Sequence, residues 1–179
     1  PIYNTLNELY NIVLIHTGQH YDRYMSSIFF KQLNVSSCDI HMSLENKTKA
    51  GDLERDLYMN NDNLFINKQN TIRRLSYYKG NLGQLGEIRD KLLIEFNRIK
   101  PDMIIVFGDV TSTLAASLSA TLLNIKLCHI ESGLRSGDIS MPEEVNRILT
   151  DHITDYFFVT EKSGVDNLQK EGIIQNVFL

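Results

Sequence analysis

A chain of 179 residues with 18 basic and 22 acidic side chains, a formal net charge of −4 and 42% hydrophobic residues is long enough to bury one substantial core. That balance argues against a broad nucleic-acid or membrane surface, and no apolar run has the length of a membrane span or the form of a secretory leader. Two cysteines, Cys38 and Cys128, and five dispersed histidines speak against a disulfide scaffold and against a metal site, and no cofactor is expected.

Residues 1–10 read as a short helix with Ile2, Leu6 and Leu9 on one side, and residues 12–15 as a strand. The loop 16–22 follows that strand, so Gln19 and His20 are expected at a strand's carboxyl rim. Residues 24–33 have helical apolar spacing at Met25, Ile28, Phe29 and Leu33, and a short strand is predicted over 40–44. From 45 to 80 the pattern breaks into asparagines and charges with little periodicity, which reads as a solvated excursion. Residues 82–99 then form an amphipathic helix, with Leu85, Ile88, Leu92 and Phe96 on its inner side and Pro101 after its end.

The stretch 101–147 is the most informative. Its apolar runs, 103–107 and 126–130, are too short for packed helices and read as buried strands. Between them residues 113–123 have helical spacing at Leu114, Leu118 and Leu122, with Thr111 or Ser112 placed to cap the start. A strand, helix, strand crossover makes the two strands parallel. Open parallel sheets bind ligands beyond the carboxyl ends of their strands, and here those ends carry acids: Asp109 after the first and Glu131 after the second. Neighbouring strands lie roughly 5 Å apart, so the two carboxylates would open onto one crevice. A helix beginning at Pro142 follows, with Glu143 and Arg147 four apart on a shared face.

Residues 156–159 form a further strand, Thr160 is placed to cap a helix running to about Lys170, and another strand begins at Val177. His152 and Asp155 lie at the amino end of their strand, away from the acidic rim. Gly108 is a lone glycine without the spacing of a dinucleotide or phosphate loop. The fold class is therefore α/β, a Rossmann-like parallel sheet with helices on both faces.

Four motifs in order, HTGQHYD (16–22), VFGDVTSTLAAS (106–117), CHIESGLRSGD (128–138) and MPEEVNRILTDH (141–152), resemble the amino-terminal domain of the non-hydrolysing UDP-N-acetylglucosamine 2-epimerases. That resemblance implies one half of a GT-B fold, lacking its first strand and the carboxyl-terminal UDP-binding domain, with residues 45–80 as an insertion. It implies inversion at carbon 2, interconverting UDP-GlcNAc and UDP-ManNAc by elimination and re-addition of UDP, for cell-surface polysaccharide precursors. On matching positions it implies Asp109, Glu131 and Glu143 as catalytic acids and Arg147 as a substrate-cleft residue. Gln19 and His20 would contact substrate or an activating second UDP-GlcNAc.

A cytoplasmic enzyme, homodimeric at full length, with no nucleic-acid or membrane partner, is what the resemblance implies, and the present chain alone would be inactive. Clustered carboxylates suit such chemistry, because proton transfer at carbon 2 needs one group to accept and another to donate. The residues leave two rivals open. One is a non-catalytic UDP-sugar-binding or regulatory module on the same scaffold. The other is a receiver-like domain with Asp109 as phosphoacceptor, for which the acidic pair and late lysine are missing.

Overall fold

The computed structural model describes residues 2–19, 39–42, 44 and 68–179. The chain divides into two compact units, Pro1–Glu45 and Asn46–Leu179.

In the smaller unit, helix α1 (Ile2–Asn7) precedes strand β1 (Ile15–His16), which pairs in parallel with β2 (Ile40–His41). The β1 strand lies at the end of the predicted run 12–15 rather than along it. The Asp39 carboxylate accepts the Leu14 amide at 2.7 Å, so a side chain caps this pair where ladder bonds stop. Gly18, in the HTGQH motif, has φ +73, and a Cβ there would sit 2.3 Å from the Met42 carbonyl oxygen. Only glycine fits that approach.

The larger unit is built on a four-stranded, wholly parallel sheet in the order β3-β4-β5-β6 (Met103–Phe107, Lys126–Ile130, Tyr156–Phe158, Val177–Phe178). Both strands predicted in the central stretch have the bounds expected of them. Helix α2 (Lys68–Ile99) leads in, and α3 (Thr111–Leu122), α4 (Pro142–His152) and α5 (Lys162–Lys170) are the successive crossovers. Strands adjacent in both sequence and space, joined by crossovers of one hand, carry their helices on the same side. Burial agrees: Ile104, Val106, Leu127, His129 and Phe157 are buried, whereas Met103, Phe107 and Phe158, on the opposite face, are exposed.

Helix α2 buries Ile88, Leu92 and Phe96, one every turn, against α3. The α3 side of this contact is made of small residues. Ala115, Ala120 and Ser119 are fully buried, and the Ser119 hydroxyl reaches the Arg89 carbonyl at 3.3 Å, so the two backbones approach closely there. Helix α5 closes the far end through Leu168 on Phe157 and Val159.

Three local expectations are corrected. Helix α2 begins at Lys68, well before residue 82, so part of the aperiodic stretch is helical. The start of α3 is Val110, with no side-chain cap. Thr111 and Ser112 already lie inside the first turn, and it is the Thr113 hydroxyl that donates back to the Phe107 carbonyl at 2.7 Å, holding the strand-to-helix turn closed. Helix α5 starts after Glu161 rather than from a Thr160 cap. The predicted helix 24–33, Cys38 and most of the stretch 45–80 lie outside the described residues.

Candidate active site

The β3-β4 pairing places Phe107 opposite Ile130, and the Gly108 amide extends the ladder by one bond to the Ile130 carbonyl at 3.1 Å. The next residues on the two strands are Asp109 and Glu131. Glu131 Oε2 lies 3.4 Å from where a Cβ on Gly108 would stand, so its carboxylate leans over the residue that precedes Asp109. The two acids thus follow the ends of adjacent parallel strands, as the strand spacing leads one to expect. Glu131 is exposed and has φ +73, a conformation that costs a non-glycine residue about 1 kcal/mol or more. The amides of Glu131 and Ser132 both donate to the Phe158 carbonyl, at 2.9 and 3.2 Å, and so hold the backbone in it.

Helix α4 supplies the third side. Pro142 at its first turn and Glu143 and Glu144 behind it suit a helix start. Arg147 donates to Asp109 Oδ2 from Nε at 3.2 Å and from Nη2 at 2.5 Å, while Asn146 Nδ2 donates to the Asp109 carbonyl at 2.8 Å. Consecutive residues of α4 therefore grip both the side chain and the backbone of Asp109.

The expected Glu143 to Arg147 pair is not formed. Arg147 Nη1 bonds Glu144 instead. Glu144 is 1% exposed and takes the Ser136 and Gly137 amides at 3.0 and 2.8 Å; an anion buried so deeply requires a cation, and three residues along the helix is within arginine's reach. Burial alone would raise the Glu144 carboxyl, but those two amides and Arg147 overcome it and hold it below its ordinary value. Burial likewise opposes the charge on Arg147, and its bonds to Asp109 and Glu144 outweigh that and raise it. Glu143 is partly exposed in the first turn of α4. Neither Glu131 nor Glu143 has a side-chain hydrogen bond or ion pair among the described residues. Gln19 belongs to the other unit, and His20 lies outside the described residues.

Sequence reading missed the layer beneath these acids. His129 and Asp151 are fully buried and bonded through Nδ1 and Oδ1 at 2.7 Å. Asp151 Oδ2 accepts the Gly133 amide at 3.1 Å and Arg135 Nη1 at 2.7 Å. Arg135 then pairs with Glu171 at the end of α5. Burial works against the Arg135 charge too, but its bonds to Glu171 and Asp151 raise it. The one available signal was a histidine in the interior of a strand, two residues before an acid, on the side facing the helices.

Among the described residues no group of three or more His, Cys, Asp or Glu side chains is arranged to hold a metal ion. Burial pushes the Cys128 thiol up to about 11, which makes it an inert core residue rather than a nucleophile. No described helix is long and apolar enough to cross a membrane.

The chain was compared with known proteins. A UDP-N-acetylglucosamine 2-epimerase homolog of Methanococcus maripaludis is 33% identical over 178 residues, 99% of this chain and 41% of its own length. A UDP-2,3-diacetamido-2,3-dideoxy-D-glucuronate 2-epimerase of Pseudomonas aeruginosa is 38% identical over 160 residues, 89% of this chain and 36% of its own. The crystal structure of the Methanocaldococcus jannaschii UDP-GlcNAc 2-epimerase, in complex with UDP-GlcNAc and UDP, superposes with a TM-score of 0.75 at 33% identity, covering all of this chain and 41% of that one. The chain thus spans about two fifths of the length of such relatives, and its fold class is the expected parallel α/β, Rossmann-like half of a GT-B architecture, with the crossover helices of the described sheet β3-β4-β5-β6 on one face rather than both. Because the UDP-N-acetylglucosamine 2-epimerase family model matches residues 75–179, more than half of the chain and the three motifs between 106 and 152, the chain belongs to that family.

Proposed function

We propose that this chain is the catalytic half of a UDP-N-acetylglucosamine 2-epimerase, which inverts carbon 2 of UDP-GlcNAc to give UDP-ManNAc by eliminating UDP and adding it back. The observation that carries the reading is the pair of carboxylates at the ends of adjacent parallel strands, with Glu131 Oε2 leaning over Gly108 and Asp109 fixed by Arg147. Removing a proton from carbon 2 on one face and returning it on the other needs two such groups within reach of one sugar ring. Glu131 and Glu143, with no side-chain partner among the described residues, are free to exchange protons. Arg147, which orients Asp109, binds substrate as well in this reading.

In this reading Gln19 and His20 contact the sugar or an activating UDP-GlcNAc. The nucleotide grip belongs to the remaining three fifths of the relatives' length, and the full-length enzyme is a homodimer. Residues 45–80 are then an insertion on the cleft-forming half. The 179 residues alone do not turn over substrate, because half of the cleft is missing.

The test joins this chain to the remainder of its Methanocaldococcus relative on both sides, first strand and carboxyl-terminal domain alike, and follows UDP-GlcNAc in deuterated water. Epimerisation with deuterium at carbon 2, lost in Asp109→Asn, is expected. Tight UDP-GlcNAc binding without any exchange at carbon 2 would favour the binding or regulatory module instead.

A further inference from the structure

We infer that His129 is a positioning residue for this chemistry: its ring carries hydrogen on both nitrogens and fastens the Asp109 turn to the strand that presents Glu131. The consequence for catalysis rests on the epimerase reading above; the geometry does not. His129 is 0% exposed. Its Nε2 lies 2.8 Å from the Gly108 carbonyl oxygen and its Nδ1 lies 2.7 Å from Asp151 Oδ1. A carbonyl and a carboxylate both accept, and a neutral imidazole has one N–H to give. The ring satisfies both partners only by donating twice.

Moving the second hydrogen onto Asp151 is disfavoured by what surrounds that carboxylate. Its Oδ2 already takes the Gly133 amide and the Arg135 guanidinium, contacts that favour the anion. With Glu171 on the far side of Arg135, two cations alternate with two anions along the chain His129, Asp151, Arg135, Glu171.

The placement links this cluster to the acids. His129 stands two residues before Glu131 on β4, and its acceptor, Gly108, immediately precedes Asp109. One side chain therefore ties the two strand ends together. Gly108 has φ +63, so the turn it makes has no side chain of its own to steady it. Donation into the Gly108 carbonyl also polarises that peptide, whose N–H belongs to Asp109. Without the ring, the one direct link left between the two strand ends beyond Phe107 is the Gly108 amide to the Ile130 carbonyl, the other holds on Asp109 coming from α4, and a displacement of about 1 Å between reacting groups costs roughly a hundredfold in rate.

Nitrogen-15 NMR of the 179-residue chain at neutral pH tests the ring. Two slowly exchanging N–H protons on His129 are expected, with the Nδ1 hydrogen lost in Asp151→Asn. A single protonated nitrogen in the wild type overturns the inference whatever the activity. In the joined enzyme, His129→Gln is expected to lower kcat about a hundredfold with KM within about twofold, and unchanged kcat overturns the positioning role. Should that variant fail to fold, Asp151→Asn carries the same kinetic test. Complete inactivity of the wild-type joined enzyme would defeat the epimerase reading and the catalytic consequence together, while the NMR result still decides the state of the ring.

Discussion

The strand-end rim and the layer beneath it are both rich in charge, yet they are built on opposite terms. At the rim, Glu131 and Glu143 lack side-chain partners among the described residues, and even Asp109, held by Arg147, keeps a third of its side chain exposed. Beneath it, His129, Asp151 and Glu144 are almost fully buried and every one is bonded to a charge or a backbone amide. The rim carboxylates stay accessible, as groups that exchange protons with a ligand would have to be, and the residues that hold them in place are saturated. The difference separates residues whose loss should cost rate alone from residues whose loss should cost stability as well.

Truncating the lower layer should break that contrast most severely. Asp151→Ala leaves His129 and Arg135 without their shared anion, and unfolding in urea should show a loss of about 3–5 kcal/mol. At the rim, Glu131→Gln in the joined enzyme should lower kcat by about a hundredfold or more while the urea midpoint of the isolated chain does not fall. A midpoint lowered as far as in Asp151→Ala would mean that the rim is structural after all.

A third prediction concerns the backbone that joins the two layers. Gly133 has φ +81, and a Cβ there would stand 2.5 Å from the Gly164 carbonyl oxygen. Gly133→Ala should therefore destabilise by more than about 1 kcal/mol, read as a lowered Tm, whereas Gly137→Ala, equally left-handed but with open space around it, should cost less. The smallest effect is a pH dependence. The Glu144 carboxyl is held below its ordinary 4.5 by its amide and arginine partners despite its burial. Its contribution is complete above that pH and is lost as pH falls through the lower folded-state value. Glu144→Gln should flatten the acid limb of a stability profile measured by urea titration.

The parts of this molecule that the sequence discloses are those governed by one local rule. The strands at Met103–Phe107 and Lys126–Ile130 are apolar runs with abrupt polar ends, and the acids that follow them announce the rim. What it conceals depends on choices between near-equal neighbours. Arg147 can reach Glu143 or Glu144, and only the Ser136 and Gly137 amides, brought in by a loop, decide for Glu144. His129 reads as one more position in a buried strand, because its partners Gly108 and Asp151 lie 21 and 22 residues away. Helix α2 begins at Lys68 in a stretch with no clean apolar period, so no pattern marks its start.

On the epimerase reading, the left-handed backbone at Glu131 sets folding and chemistry at odds within one residue. Asparagine tolerates that conformation and glycine adopts it freely, so replacing Glu131 by either should make the protein harder to melt even as it removes the carboxylate. A search that selects for heat resistance alone would drift toward such variants and lose turnover without warning, which makes this position the one to hold fixed when the protein is engineered for robustness.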